Sequence, residues 1–130
     1  MNIAAPPEAL IHYNSAHFAH AKDFMFRMWC IFAIERKVPA PSDLSGACKY
    51  SSLFTQKVFG GTIEGNYAHQ YNRIDGRRVD LSHDSLDVAR LSHPYDHEPD
   101  YFLIPEYQKR LKLCVPRAER WAERFMREVG

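Results

Sequence analysis

Apolar side chains recur at intervals of three and four residues along positions 18–32 of the chain. This spacing places them on one face of a helix and predicts a helical region from about Pro7 to Lys37. A break is expected near Asn14–Ser15, where Ser15 has the side chain of an N-cap. The prolines that follow Lys37 cannot continue a helix, so they predict a loop.

The middle of the chain, from about residue 48 to residue 81, shows one more clear helix start and one clear turn. A second helix is predicted to begin near Cys48 and to end at Gly60–Gly61, because glycine after the last periodic residue is a typical C-terminal signal. Thr62–Glu64 is a short candidate strand. The alternating runs 67–74 and 77–81 flank Asp75–Gly76, and this dipeptide predicts a β-hairpin.

The chain beyond Asp84 is polar and proline-rich up to about Pro105, which predicts a long loop with one helical turn at 85–91. Positions 104–129 return to helical spacing but are interrupted at Cys114–Pro116. Proline is well placed in the first turn of a helix, so a separate final helix is expected over Pro116–Glu128.

These elements predict an α+β fold in which N-terminal helices and a central helix pack on a small antiparallel sheet. A length of 130 residues suits a single domain, with residues 1–7 as a loose arm before it. This size is sufficient for one hydrophobic core. Nothing in the sequence decides the oligomeric state.

Composition and charge narrow the class of protein. Lys and Arg number 17 and Asp and Glu number 16, so the net charge of +1 gives no electrostatic reason to expect nucleic acid as a partner. The most apolar stretch, at positions 25–33, is too short to cross a membrane, and no signal peptide is recognised. Three cysteines without a CxxC spacing indicate free thiols in the cytoplasm, with Cys30 and Cys114 as structural thiols.

Cys48 is the first candidate for chemistry because it is predicted at a helix N-terminus. Backbone amides and the helix dipole stabilise a thiolate there. The same amides can face a developing oxyanion. A buried structural cysteine is the alternative, since free cysteine is among the most buried residue types.

His69 and Asp80 are the second candidate because the hairpin brings them together. A turn at Asp75–Gly76 places His69 and Asp80 on the same face as diagonal neighbours, about 7–8 Å apart at Cα. Asp80 can then bind one ring nitrogen of His69 and leave the other for a thiol, which is the arrangement of a nucleophile, a base and an orienting residue. A cross-strand pair that serves folding alone is the alternative.

The same residues resemble the bacterial YunG-like family over about positions 45–84. The matching segments are Gly46–Cys48 at a helix start, Gly60–Gly61 after it, His69–Ile74 on a strand, and Val79–Ser82 after the turn. The resemblance implies a papain-like or transglutaminase-like fold in which Cys48, His69 and Asp80 form the catalytic triad. Ala47 stands where the family has Gln, and the family's strand Trp is missing here.

The function predicted from these observations is thiol-dependent acyl transfer on a peptide, protein or other amide substrate, by hydrolysis or by transfer. The backbone N–H of Cys48 is expected to be one oxyanion donor, and Gln70 and Asn72 are candidates for the second. No cofactor and no metal are predicted. One alternative is a non-catalytic interaction module with this fold. The other is a metal-binding protein that uses polar residues of a helix face and the long loop: His17, His20, His93, Asp96, His97, Glu98 and Asp100.

Overall fold

The computed structural model describes residues 8–130, so the loose arm predicted for residues 1–7 lies outside the described residues. Within 8–130 the chain forms four α-helices, a three-stranded antiparallel sheet and one short 3₁₀ helix, which confirms the α+β class. In chain order these elements are α1 (Ser15–Glu35), α2 (Cys48–Phe59), β1 (Thr62–Gly65), β2 (Gln70–Ile74), β3 (Arg77–Val79), α3 (Leu86–Ala89), the 3₁₀ helix (Pro99–Leu103) and α4 (Pro105–Val129).

The N-cap of the first helix is Asn14, and not Ser15 as predicted. Asn14 has an extended backbone, and its Oδ1 accepts a hydrogen bond from the N–H of His17 at 2.7 Å. Ser15 is therefore the first residue of α1, so the prediction that it forms the N-cap was wrong. Residues 8–14 are not helical, so the predicted helix was wrong over these positions, and its expected start at Pro7 lies outside the described residues.

The sheet has the order β1-β2-β3, and the hairpin has the predicted turn. Ile74 pairs with Arg77, and both turn residues have a positive φ, 51° at Asp75 and 75° at Gly76. Asp and Gly adopt this conformation readily, and it matches the twist of the strands that a two-residue turn must join. The register that places His69 and Asp80 on one face is thus built by the turn.

The last helix is continuous, and the predicted interruption at Cys114–Pro116 was wrong. Pro116 lies inside α4, and Pro105 takes the first-turn position. Proline in a helix interior leaves the carbonyl four residues earlier without its N–H partner. Here that residue is Lys112, which is exposed, so water can satisfy the carbonyl. Buried side chains before and after the proline keep both halves on the core: Leu111, Cys114, Ala118, Trp121 and Phe125.

Helix α2 contributes to both hydrophobic clusters of the described chain. Phe54 and Val58 pack with α1, the sheet and the C-terminal half of α4. Leu53 packs with Ile63, the 3₁₀ helix and the N-terminal half of α4. Hydrogen bonds from Cys48 to Gln70 and from Asn72 to the Ser52 carbonyl join the N-terminal half of α2 to β2.

The length and hydropathy of the helices bear on whether one of them can span a bilayer. Of the helices within residues 8–130, none combines the necessary length with sufficient hydropathy.

Candidate active site

Cys48 is the first residue of α2, as predicted, and the helix start beside it has no side-chain cap. The preceding Ala47 offers no capping oxygen, and the first backbone bond of the helix runs from the N–H of Ser51 to the Ala47 carbonyl at 2.8 Å. The amides of residues 48–50 precede that bond, so they have no acceptor within the helix. They therefore present N–H donors and the positive end of the helix dipole beside the Cys48 thiol.

The hairpin brings His69 and Asp80 into direct contact. Nε2 of His69 donates to Oδ2 of Asp80 at 2.7 Å, and the two side chains are only 1% and 5% exposed. Each partner is also fixed through the backbone. The N–H of His69 donates to Oδ1 of Asn66 at 3.2 Å, and Oδ1 of Asp80 accepts from the N–H of Ser82 at 2.9 Å. The pair is therefore a rigid, water-excluded unit.

The electrostatics of His69 join it to the cysteine as well as to the aspartate. Burial lowers the pKa of His69, but the hydrogen-bonded Asp80 carboxylate and the neighbouring Cys48 raise it to about 9. Because Nε2 is bound to Asp80, Nδ1 is the ring nitrogen left for the thiol. The structure thus pairs His69 with Asp80 as predicted and places Cys48 near enough to influence the pKa of His69, but the hydrogen bond of the Cys48 thiol goes to another side chain.

The hydrogen-bond partner of the Cys48 thiol is the side chain of Gln70. Sγ of Cys48 donates to Oε1 of Gln70 at 3.2 Å, while Nε2 of Gln70 donates to the backbone carbonyl of Asn66 at 2.6 Å. The Asn66 carbonyl fixes which end of the amide faces the sulfur. A carbonyl oxygen accepts a hydrogen bond from a thiol and repels a thiolate, so this contact is one that only a thiol makes.

Neither predicted candidate for the second oxyanion donor presents a free amide nitrogen. The Gln70 nitrogen is bound to Asn66, and Nδ2 of Asn72 donates to the carbonyl of Ser52 at 2.9 Å. Asn72 is 2% exposed and fastens β2 to α2. In this conformation the backbone amides at the start of α2 are the donors that an oxyanion at Cys48 would meet.

The residue that the sequence pattern missed is Tyr95. Its hydroxyl donates to Oδ2 of Asp80 at 2.9 Å, the same oxygen that binds His69. The sequence suggests no role for Tyr95 other than packing, because the loop that carries it has no periodic pattern. No spacing rule relates Tyr95 to a carboxylate 15 positions earlier.

Cys30 and Cys114 are free thiols, as predicted. Cys114 is buried, and burial raises the pKa of its thiol. Cys30 is only half-buried. Neither shows the combination of helix start, imidazole and carboxylate that surrounds Cys48.

Three of the four histidines considered for metal binding have other partners. His17 lies against the carbonyl of His12, His20 pairs with Glu128, and Nδ1 of His97 accepts from the N–H of Gly65 at 3.1 Å. Over residues 8–130, no group of three or more His, Cys, Asp and Glu side chains is arranged to hold a metal ion.

A cavity of about 440 Å³ lies away from these residues, between α1 and the loop before α2. Its charged lining groups are already paired: Lys22 binds Asp84, Asp23 binds Arg27, and Asp43 accepts backbone N–H bonds.

Comparison with known proteins adds no relative. No family model, no curated protein and no solved structure matches the chain. The likeness to the YunG-like family accordingly depends on the quoted residues alone, and it stays a hypothesis.

Proposed function

We propose that this protein is a thiol-dependent acyl-transfer enzyme of the papain-like or transglutaminase-like kind, related to the YunG-like family. Cys48 is the nucleophile, His69 the general acid and base, and Asp80 the residue that orients His69. One observation carries the proposal: a buried imidazole is bound to a carboxylate at 2.7 Å, and the thiol at an uncapped helix start is near enough to help raise the pKa of that imidazole. This is the arrangement that activates a sulfur nucleophile.

The electrostatics of the pair support the activation step. Cys48 is one of the causes that raise the pKa of His69, and a protonated imidazole beside a cysteine is the usual means by which a protein activates a sulfur nucleophile. The carbonyl of Gln70 acts in the opposite direction and favours the thiol. The nucleophile therefore becomes fully active when a substrate displaces the thiol from Gln70.

The reaction then follows from the positions of the groups. The sulfur adds to the acyl carbonyl, and the amides at the start of α2 stabilise the oxyanion. The leaving amine takes its proton from His69, and an acyl group remains on Cys48. Water or an acceptor amine, deprotonated by neutral His69, releases that acyl group and restores the thiol.

The substrate approaches from the side of the thiol. Cys48 is half-buried, whereas His69 and Asp80 are closed to solvent. We assign the substrate to amides in general, such as a peptide or protein acyl group, because the site has no side chain that selects one class.

A non-catalytic interaction module is the second candidate, and the Gln70 contact favours it. Gln70 and Asp80 satisfy the thiol and the imidazole without any substrate. Such a closed network also stabilises a fold, because buried polar groups are costly when they are left unpaired.

An acylation experiment separates these two candidates. The protein is mixed with p-nitrophenyl acetate, and we expect a burst of p-nitrophenolate equal to the protein concentration, with one acetyl group on Cys48 by peptide mass mapping. Cys48→Ala should abolish the burst, whereas the matched change Cys30→Ala should leave it intact. A burst that survives Cys48→Ala, or no burst in the unchanged protein, would contradict the proposed enzyme.

A further inference from the structure

Tyr95 shares the carboxylate of Asp80 with His69. Oδ2 of Asp80 accepts from Nε2 of His69 at 2.7 Å and from the hydroxyl of Tyr95 at 2.9 Å, and Oδ1 accepts from the N–H of Ser82. Three donors thus converge on one buried carboxylate. Tyr95 belongs to the loop between α3 and the 3₁₀ helix, so this loop, and not the hairpin, supplies the third donor.

The ring of Tyr95 is held from several sides. It packs edge-on against His69 at 5.9 Å and against Tyr71 at 5.1 Å between ring centroids. The guanidinium of Arg78 lies over it at 3.7 Å, and the hydroxyl of Tyr71 donates to its backbone carbonyl at 2.8 Å. The hydroxyl of Tyr95 is therefore aimed at Asp80 by contacts that do not involve Asp80.

The loop on both sides of Tyr95 is also tied to the turn before β2. Nδ2 of Asn66 donates to the carbonyl of Asp96 at 2.7 Å, and the N–H of Glu98 donates to the carbonyl of Gly65 at 2.8 Å. Asn66 also accepts the N–H of His69. The same turn thus positions the imidazole and the loop that carries Tyr95.

A neutral phenol on Oδ2 has a definite effect on the imidazole. Burial and the adjacent Asp80 charge raise the pKa of Tyr95 far above its ordinary value, so the hydroxyl stays protonated and donates at any working pH. A donor on Oδ2 withdraws negative charge from the oxygen that stabilises imidazolium. The charged and titratable groups that face His69 directly or through Tyr95 are Cys48, Tyr71, Arg78, Asp80 and Tyr95.

We propose that Tyr95 is a positioning residue of this site, which fixes the Asp80 carboxylate and moderates the basicity of His69. This inference rests on the proposed function for its consequence alone. That consequence is the pH range in which His69 becomes neutral and can act as the base in deacylation. The hydrogen bond between Tyr95 and Asp80 does not depend on whether the protein turns over a substrate. Tyr95 thereby couples the loop between α3 and the 3₁₀ helix to the chemistry at Cys48.

The test is an NMR titration of the His69 imidazole in Tyr95→Phe, which keeps the ring and removes only the hydroxyl. We expect the pKa of His69 to rise by about half a unit or more, because Oδ2 of Asp80 then accepts from His69 alone. Tyr71→Phe is the matched control. It removes the bond to the Tyr95 carbonyl without touching Asp80, and it should leave the titration nearly unchanged.

An unchanged or lowered pKa of His69 in folded Tyr95→Phe would overturn the inference. So would an equal rise in Tyr71→Phe, since that result would show a general loosening of the loop. The titration needs no substrate, so it can confirm the role of Tyr95 even if the acylation burst is absent. The two proposals can therefore be refuted separately.

Discussion

The His69–Asp80 pair should make the stability of the protein depend on pH in a defined window. The pKa of His69 is about 9 in the folded protein, against 6.5 as its ordinary value. A folded pKa above the unfolded value means that the folded state binds the proton more tightly. The stabilisation is therefore fully present below pH 6.5 and is lost as pH rises through about 9.

The magnitude follows from the same shift. One pKa unit corresponds to about 1.4 kcal/mol, so a rise from 6.5 to about 9 corresponds to about 3 kcal/mol of unfolding free energy. That is a large part of the total for a domain of this size, which is commonly about 5–15 kcal/mol. His69 is almost fully buried, so solvent screening does not reduce the value much.

The assay is urea unfolding of the protein and of His69→Gln at a series of pH values between 6 and 10. The difference in unfolding free energy between the two cancels the other titrating groups, and we expect it to fall by about 3 kcal/mol across the window. The same comparison in a Cys48→Ala background should show a smaller fall, because the thiol is one cause of the raised pKa. A difference that does not change with pH would refute the pairing.

Three further changes test the surroundings of the site. Gln70→Leu removes the acceptor that holds the Cys48 thiol, and because a neutral hydrogen bond is worth about 1 kcal/mol, alkylation of Cys48 at neutral pH should become about fivefold faster; a slower reaction would contradict this role. Asn72→Leu removes the side-chain hydrogen bond that joins β2 to the Ser52 carbonyl of α2 and should cost about 1 kcal/mol in urea unfolding; an unchanged midpoint would argue against that contact. A Cβ at Gly65 would collide with the His69 carbonyl, whereas one at Gly76 meets open space, so Gly65→Ala should lower the melting temperature much more than Gly76→Ala, and equal losses would count against the tight turn.

The parts of the fold that the sequence predicts correctly are those determined by neighbouring residues. The start of α2 at Cys48 and its end at Gly60 follow from local spacing and a glycine stop. The Asp75–Gly76 turn depends on two residues that tolerate a positive φ, and it alone determines the register between β2 and β3. The convergence of His69 and Asp80 follows from that register.

The parts that the sequence does not predict depend on distant contacts. Pro116 is tolerated inside α4 because buried side chains on both sides hold the helix and the affected carbonyl faces water. The bond between Cys48 and Gln70 joins residues 22 positions apart, and that between Asp80 and Tyr95 crosses a loop without periodicity. Such partners are chosen by packing, which local patterns do not contain.

The most direct test of the central claim is the pH dependence of Cys48 alkylation by iodoacetamide, followed by peptide mass mapping. If His69 and the start of α2 stabilise the thiolate, Cys48 should react well below pH ~8.5, the pKa of a free thiol. His69→Ala should move the rate profile to higher pH, and His93→Ala, an exposed histidine of the loop before the 3₁₀ helix, should leave it in place. A Cys48 that reacts no faster than a model thiol, with a profile indifferent to His69, would contradict the proposed enzyme.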